Sequence, residues 1–286
     1  MPDTGQRGRA RPRRNRPGRW FAYLFLGLGA AVMVVPFVAS LANSLKNFAQ
    51  YVAVPPIWVP DPPTWSNYRE VWERAPFGLY AWNSFLIASL AVVGNVVTSA
   101  MVGHALARMK LPGKEVLLAA ALGTLMLPTV VTIIPNFILY KHLGWLDTVL
   151  PLVVPYWLAT PFGIFLMRQT FLAIPRDFEE AAALDGANPW QVFWRVHMPL
   201  AKPALATLGV FTFMASWGAV LEPTIYLTSP EKYTLPIGVM SLQGQFMGND
   251  QLVTAAALMS LVPMLLLFLL AQRYFVRGAM ASGLKG

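Results

Sequence analysis

The densest set of recognition side chains lies in residues 177–199, Asp-Phe-Glu-Glu-Ala-Ala-Ala-Leu-Asp-Gly-Ala-Asn-Pro-Trp-Gln-Val-Phe-Trp-Arg-Val-His-Met-Pro. The small residues Ala181, Ala182 and Gly186 would let a partner approach closely. Phe178, Leu184, Trp190 and Phe193 offer apolar anchors, and Glu180, Asp185 and Arg195 can supply paired charges. This is the chemistry of docking rather than of bond breaking. No Gly-x4-Gly-Lys-Ser/Thr phosphate loop, His-Glu-x-x-His or Gly-x-Ser-x-Gly occurs, so ATP hydrolysis on this chain is not expected. His104, His142 and His197 are far apart without metal-ligand spacing and read as ordinary packing or interfacial side chains. The absence of cysteine removes disulfides and thiolate metal sites. No cofactor or metal is expected on this chain.

The elements that hold this stretch are apolar. The chain has 286 residues, 56% hydrophobic and only 12% charged, against about 25% charged in a soluble domain. A bilayer core needs roughly 20 apolar helical residues. Six stretches qualify: about 20–43, 82–106, 116–139, 146–167, 204–228 and 252–272. Pro151, Pro155 and Pro161 predict a kinked fourth stretch. Long strand-like alternation is absent. The expected fold is all-α, a polytopic membrane protein with six transmembrane helices.

Lys and Arg outside those stretches set the orientation. With the N-terminus inside, inner segments hold seventeen basic residues and outer segments five (Lys46, Arg69, Arg74, Lys141 and Lys232). Both termini and the 168–203 segment are therefore expected in the cytoplasm. That distribution accounts for the net charge of +9 without nucleic acid. Residues 1–19, with seven Arg, are expected to be a disordered basic tail. The apolar run that follows is longer than a signal-peptide core, which favours a retained anchor.

Within the loop, Pro175 suits a first helical turn, and Asp177, Glu179 and Glu180 place negative charge at the positive end of a helix dipole. Gly186 supplies a turn. Asn188-Pro189 predicts an N-cap and first-turn proline opening a second helix that stops before Pro199. On composition alone, a hairpin resting on the membrane surface would serve as well.

The order Glu180-Ala181-Ala182, three residues, Gly186, nine residues, Val196, one residue, Met198-Pro199 resembles the cytoplasmic "EAA" loop of permease subunits of binding-protein-dependent ABC importers. Further segments resemble the carbohydrate subfamily, specifically the six-span subunit similar to the second membrane subunit of the maltose importer. They are 107–114 (Ala-Arg-Met-Lys-Leu-Pro-Gly-Lys), 127–144, 163–169 and 229–244, together spanning roughly 65–275. The resemblance implies a type I importer permease fold in the cell inner membrane and a coupling loop over 175–199. It assigns ATPase coupling to Glu180, Ala181, Ala182, Asp185 and Gly186, flanked by Phe178 and Leu184. It also implies a second homologous permease subunit, two ATPase subunits that carry ATP and magnesium, and an extracytoplasmic solute-binding protein. One departure stands out: where members often carry an Asn-Asp or Asn-Glu pair after the Trp of the fifth span, Trp217 is followed by Gly-Ala-Val-Leu and then Glu222-Pro223.

For the solute path, Trp217, Ser216, Thr212, Asn95 and Asn136 are candidate lining residues, with interhelical packing as the competing role. Glu222 is either a path carboxylate or an interfacial one. Residues 66–75 read as a short amphipathic helix that either receives a solute-binding protein or caps the membrane interface. The cargo expected is a sugar or sugar-like solute. A polyamine or phosphate-ester importer is the nearest alternative. A secondary transporter would show internal repeats and more embedded ionisable groups.

Overall fold

The computed structural model describes residues 18–245 and 249–283. The expected tail over 1–19 lies almost wholly outside them. Among the described residues every regular element is a helix. Helix α1 (Gly18–Ser44) has 27 residues, about 40 Å at 1.5 Å per residue. None of its apolar window is buried inside the protein. A long helix that is apolar on its outer face has hydrocarbon as its solvent. A four-residue α2 (Phe48–Tyr51) and α3 (Ser66–Arg74) follow. Asn67, buried, donates to the Ser44 and Lys46 carbonyls at 2.7 and 2.8 Å and fastens α3 to the end of α1.

Helix α4 (Phe77–Arg108, 32 residues) is the central post. It packs on α8 (Pro161–Ala173) and α12 (Lys202–Trp217), and α12 packs on α15 (Asp250–Gly283). Small residues set the α4–α8 approach. A Cβ built on Gly103 would stand 2.7 Å from Met167 Cβ and 2.8 Å from the Arg168 backbone nitrogen. Without a strong hydrophobic drive inside lipid, such close seams supply much of the helix association.

The structure has four helices long and apolar enough to cross a membrane, or up to six if each bent pair is one span. The expected third stretch, 116–139, is two pieces. Helix α5 (Lys114–Gly123) and a 3-10 turn to Met126 meet α6 (Thr129–His142) at 102°. Pro128 causes the break, since it holds Leu127 extended (ψ 115°) and donates no hydrogen bond. The fourth, expected over 146–167, runs as α7 (Leu150–Val153), a 3-10 turn Val154–Leu158, and α8. Ala159, at φ 62°, separates the last two, and the Thr160 side chain caps α8 at Gly163 N. The fifth, expected over 204–228, ends as a helix at Trp217. Residues 218–220 are not part of a regular element, and Glu222 sits in a new short helix, α13 (Leu221–Tyr226). A straight continuation is therefore not available to Glu222. Helix α14 (Leu235–Gln245) precedes α15.

The 177–199 loop folds as α9 (Asp177–Leu184), a Gly186 turn, α10 (Pro189–Val192), a π-helical turn Phe193–His197 and α11 (Met198–Leu200). Asn188 and Gln191 form a reciprocal capping box. The helical path does not stop before Pro199 as its sequence suggests. The widened π turn, closed by Met198 N–H to the Phe193 carbonyl, lets the chain continue through the missing donor.

Candidate functional site

Two places gather polar side chains, one at each end of α4. At the first, α9 lies against the C-terminal end of α4, and its far side is open. Leu184 is 89% exposed and Phe178 48%. Glu180, Ala181, Asp185 and Gly186 are also exposed, and Ala182 is half-buried. Gly186 has φ 81°, and a Cβ there would meet nothing within 4 Å. The open face is thus built from a left-handed glycine, alanines and apolar tips. Phe193, an expected anchor, is instead buried with Phe171, Met167 and Ala201 in the core beneath the loop.

The inner side of the loop is tied by charge. Arg108 Nη1 stands 3.0 Å from Glu179 Oε1, and its Nη2 donates to the Phe171 and Ile174 carbonyls at the end of α8. Glu179 Oε1 also lies 3.1 Å from His197 Nε2, close enough to attract but misaligned for a full hydrogen bond. His197 Nδ1 meets His104 Nε2 at 2.8 Å. With the His197 proton on Nε2, facing Glu179, its Nδ1 would accept from His104 Nε2; the opposite tautomers reverse that bond. Burial pushes the His197 imidazole below its ordinary value; Glu179 opposes that shift and Arg108 adds to it. His104 and His197, expected to be separate packing residues, are therefore one pair. Spacing along the chain could not reveal it, because α4 and the π turn are brought together only by the α8 core.

At the other end of α4, a cavity of about 410 Å³ opens between α4, α6, α7, α12 and α13. Glu222, Asn136 and Ser216 of the expected path residues line it. The structure adds Tyr156 and Thr234, which sequence patterning did not single out. The other three expected path residues are packed elsewhere. Asn95, 2% exposed, donates to Thr212 Oγ1 at 2.8 Å and accepts from Ser99 and Thr160, joining α4, α12 and the start of α8. Trp217 donates to the Ser260 carbonyl at 3.2 Å and stacks on Phe213.

Asp147, in the loop before α7, holds the rim of this cavity. Its carboxylate accepts from Lys232 Nζ at 2.7 Å, from Ser229 Oγ at 2.6 Å, and from the Thr228 and Ser229 amides at 2.9 Å. Lys232 and these donors keep the Asp147 carboxyl well below the usual carboxylate range. Its own amide donates to the Tyr226 carbonyl. The clamp thereby fixes the segment between Glu222 and Thr234. Among the described residues no group of three or more His, Asp or Glu could hold a metal ion.

With this geometry the chain can be compared with known proteins. It is 30% identical over 264 residues to the sulfoquinovosyl glycerol transport system permease protein SmoH of Agrobacterium fabrum, covering 91% of this chain and 93% of that one. To the sn-glycerol-3-phosphate transport system permease protein UgpE of Yersinia enterocolitica it is 33% identical over 271 residues, 92% and 96% of the two chains. A chain of a bacterial ABC transporter involved in the import of the acidic polysaccharide alginate superposes with a TM-score of 0.80 at 26% identity, covering 93% of this chain and all of that one. Residues 96–279 match the family described as the inner membrane component of binding-protein-dependent transport systems. An all-helical, multi-pass architecture, an EAA loop and these matches agree: the chain belongs to that family, as a permease subunit of an ABC importer with the type I fold.

Proposed function

We infer that this chain forms part of the translocation path for a sugar or sugar-like solute and is driven by a separate ATPase. The observation that carries this reading is the two-sided build of the 177–199 loop. Its inner side is fastened to α4 and α8 through Arg108 and His197, while Phe178, Leu184 and Gly186 stand open on the other. A helix tied on one side and open on the other can act as a lever. Closure of a docked ATPase would push α9, and the Arg108 and His197 contacts would carry the push into the spans. ATP and magnesium would reside on that partner.

In this reading both termini and α9 face the cytoplasm, which the Lys and Arg distribution supports. The chain sits in the cell inner membrane with a second homologous permease subunit and two ATPase subunits, and it receives cargo from an extracytoplasmic solute-binding protein. The names of the relatives, which specify sulfoquinovosyl glycerol and glycerol-3-phosphate, support a sugar or polyol class of cargo.

The test is purification of the tagged chain in mild detergent, with mass-spectrometric identification of what accompanies it. Recovery of an ATPase and a second permease is expected. Recovery of the chain alone, still competent for uptake in ATP-free vesicles, would overturn the reading.

A further inference from the structure

The cavity at the end of α4 away from α9 has an unusual charge. Glu222 is the one charged residue in its wall, half-buried, and it forms no ion pair among the described residues. The polar wall is otherwise neutral, with Asn136, Ser216 and Tyr156 among its groups. Thr234 also lines it, is 3% exposed, and its Oγ1 lacks a hydrogen-bond partner. The volume of about 410 Å³ falls within the range of small-molecule sites, about 300–1,000 Å³. Ile87, in its wall, precedes His104 by seventeen residues on α4, about 26 Å, so the cavity is spatially separate from the loop cluster.

A carboxylate without a counter-charge in a partly dehydrated wall repels anions and accepts hydroxyl protons strongly. Amide, hydroxyl and phenol groups around it can both donate and accept. We propose that this cavity is a subsite for an uncharged, polyhydroxylated solute, with Glu222 accepting its hydroxyls and turning anions away. The proposal rests on the chain being a path-forming importer subunit. It separates this chain from relatives whose names specify glycerol-3-phosphate or an acidic polysaccharide. A phosphate or carboxylate would meet Glu222 with no cation in the wall to offset it.

The chain has no cysteine, so Ala215→Cys and Ala219→Cys place two independent thiol reporters in the wall. The purified full-length chain, with whatever partners accompany it, is labelled with neutral hydroxyethyl and anionic sulfonatoethyl methanethiosulfonates, with rates normalised to a free thiol. The neutral reagent should react about tenfold faster than the anionic one, and Glu222→Gln should bring the ratio to about one. Trehalose, maltotriose or sorbitol should slow labelling, and glycerol-3-phosphate should not. Equal rates beside Glu222, a ratio indifferent to Glu222→Gln, silence of both reporters, protection by glycerol-3-phosphate, or protection by none of the three polyols would each overturn the proposal. Labelling needs neither ATP nor transport, so its outcome is distinguishable from failure to recover an ATPase.

Discussion

His104 Nε2 and His197 Nδ1 meet at 2.8 Å, one imidazole from the span α4 and the other from the π turn of the loop. His197 is 1% exposed, so loss of the His104 ring leaves it with an unpaired buried nitrogen, whereas His104 is only half-buried. His104→Leu or His197→Leu alone should each lower stability by about 1–3 kcal/mol. The double replacement should cost less than the sum, because no orphan remains. Additive losses in a double-mutant cycle of detergent unfolding would show that the rings act independently.

The same pair sets a direction with pH. Burial lowers the His197 pKa in the folded protein, whereas the unfolded chain takes a proton near its ordinary value of about 6.5. The unfolded state therefore binds more protons below that pH. The contribution of His197 to stability is full above about pH 6.5 and declines as pH falls toward its folded value. Proteolysis of the 177–199 loop should accelerate between pH 7.5 and 5.5, and less so in His197→Gln. An unchanged slope in that variant would locate the effect elsewhere.

Arg108 serves Glu179 and two carbonyls with one planar fork. Lysine presents a single ammonium and cannot span the three acceptors. Arg108→Lys should loosen α9 while keeping the chain inserted, and Arg108→Ala should destabilise by about 2–4 kcal/mol. Glu179 is partly exposed, which keeps the figure below that of a fully buried pair. Hydrogen exchange along 177–184 would register the difference; equal protection in wild type and Arg108→Lys would rule out the tether.

Gly186 separates strain from docking. Its φ of 81° costs most residues about 1–2 kcal/mol, but Asn tolerates that region. Space around the missing Cβ is open, so Gly186→Asn should leave the isolated chain as stable as wild type. The same variant should reduce recovery of the ATPase several-fold, since the added side chain would occupy the docking face. Full recovery would place the ATPase contact away from this turn.

Asp147 should hold the cavity rim in acid. Its folded pKa is depressed, so its stabilising contribution is present above about pH 3.9 and is lost only as pH falls through the folded value. Asp147→Asn removes the charge facing Lys232. It should cut the exchange protection of the Thr228 and Ser229 amides about tenfold, with little change in α9. Unaltered protection of those two amides would mean that the rim is held by other contacts.

Much of this protein could be read from its residues. Long apolar runs have few solutions in lipid, so the helical, multi-pass class followed from composition. The break around Pro161 and the Asn188 cap, both expected, obey local backbone rules that need no tertiary context; the break at Pro128 follows the same rule but was not expected from the apolar run. The EAA spacing marked the loop because glycine, alanine and acidic positions recur at fixed offsets within one short segment.

Which side chains meet across the bundle was decided only by packing. Asn95 and Thr212, candidate path residues with packing as the competing role, bond each other because α4 and α12 cross there. His104 and His197 are 93 residues apart and meet because small residues let α4 and α8 close up beneath the loop. Glu222 left the line of the fifth span when its helix ended at Trp217, and so joined Asn136 and Thr234 around one cavity. Sequence alone determined the helical class and the approximate place of the apolar stretches, because backbone hydrogen bonding in lipid is a local requirement. Burial and contact are sums over distant segments, and only the folded bundle assigned them.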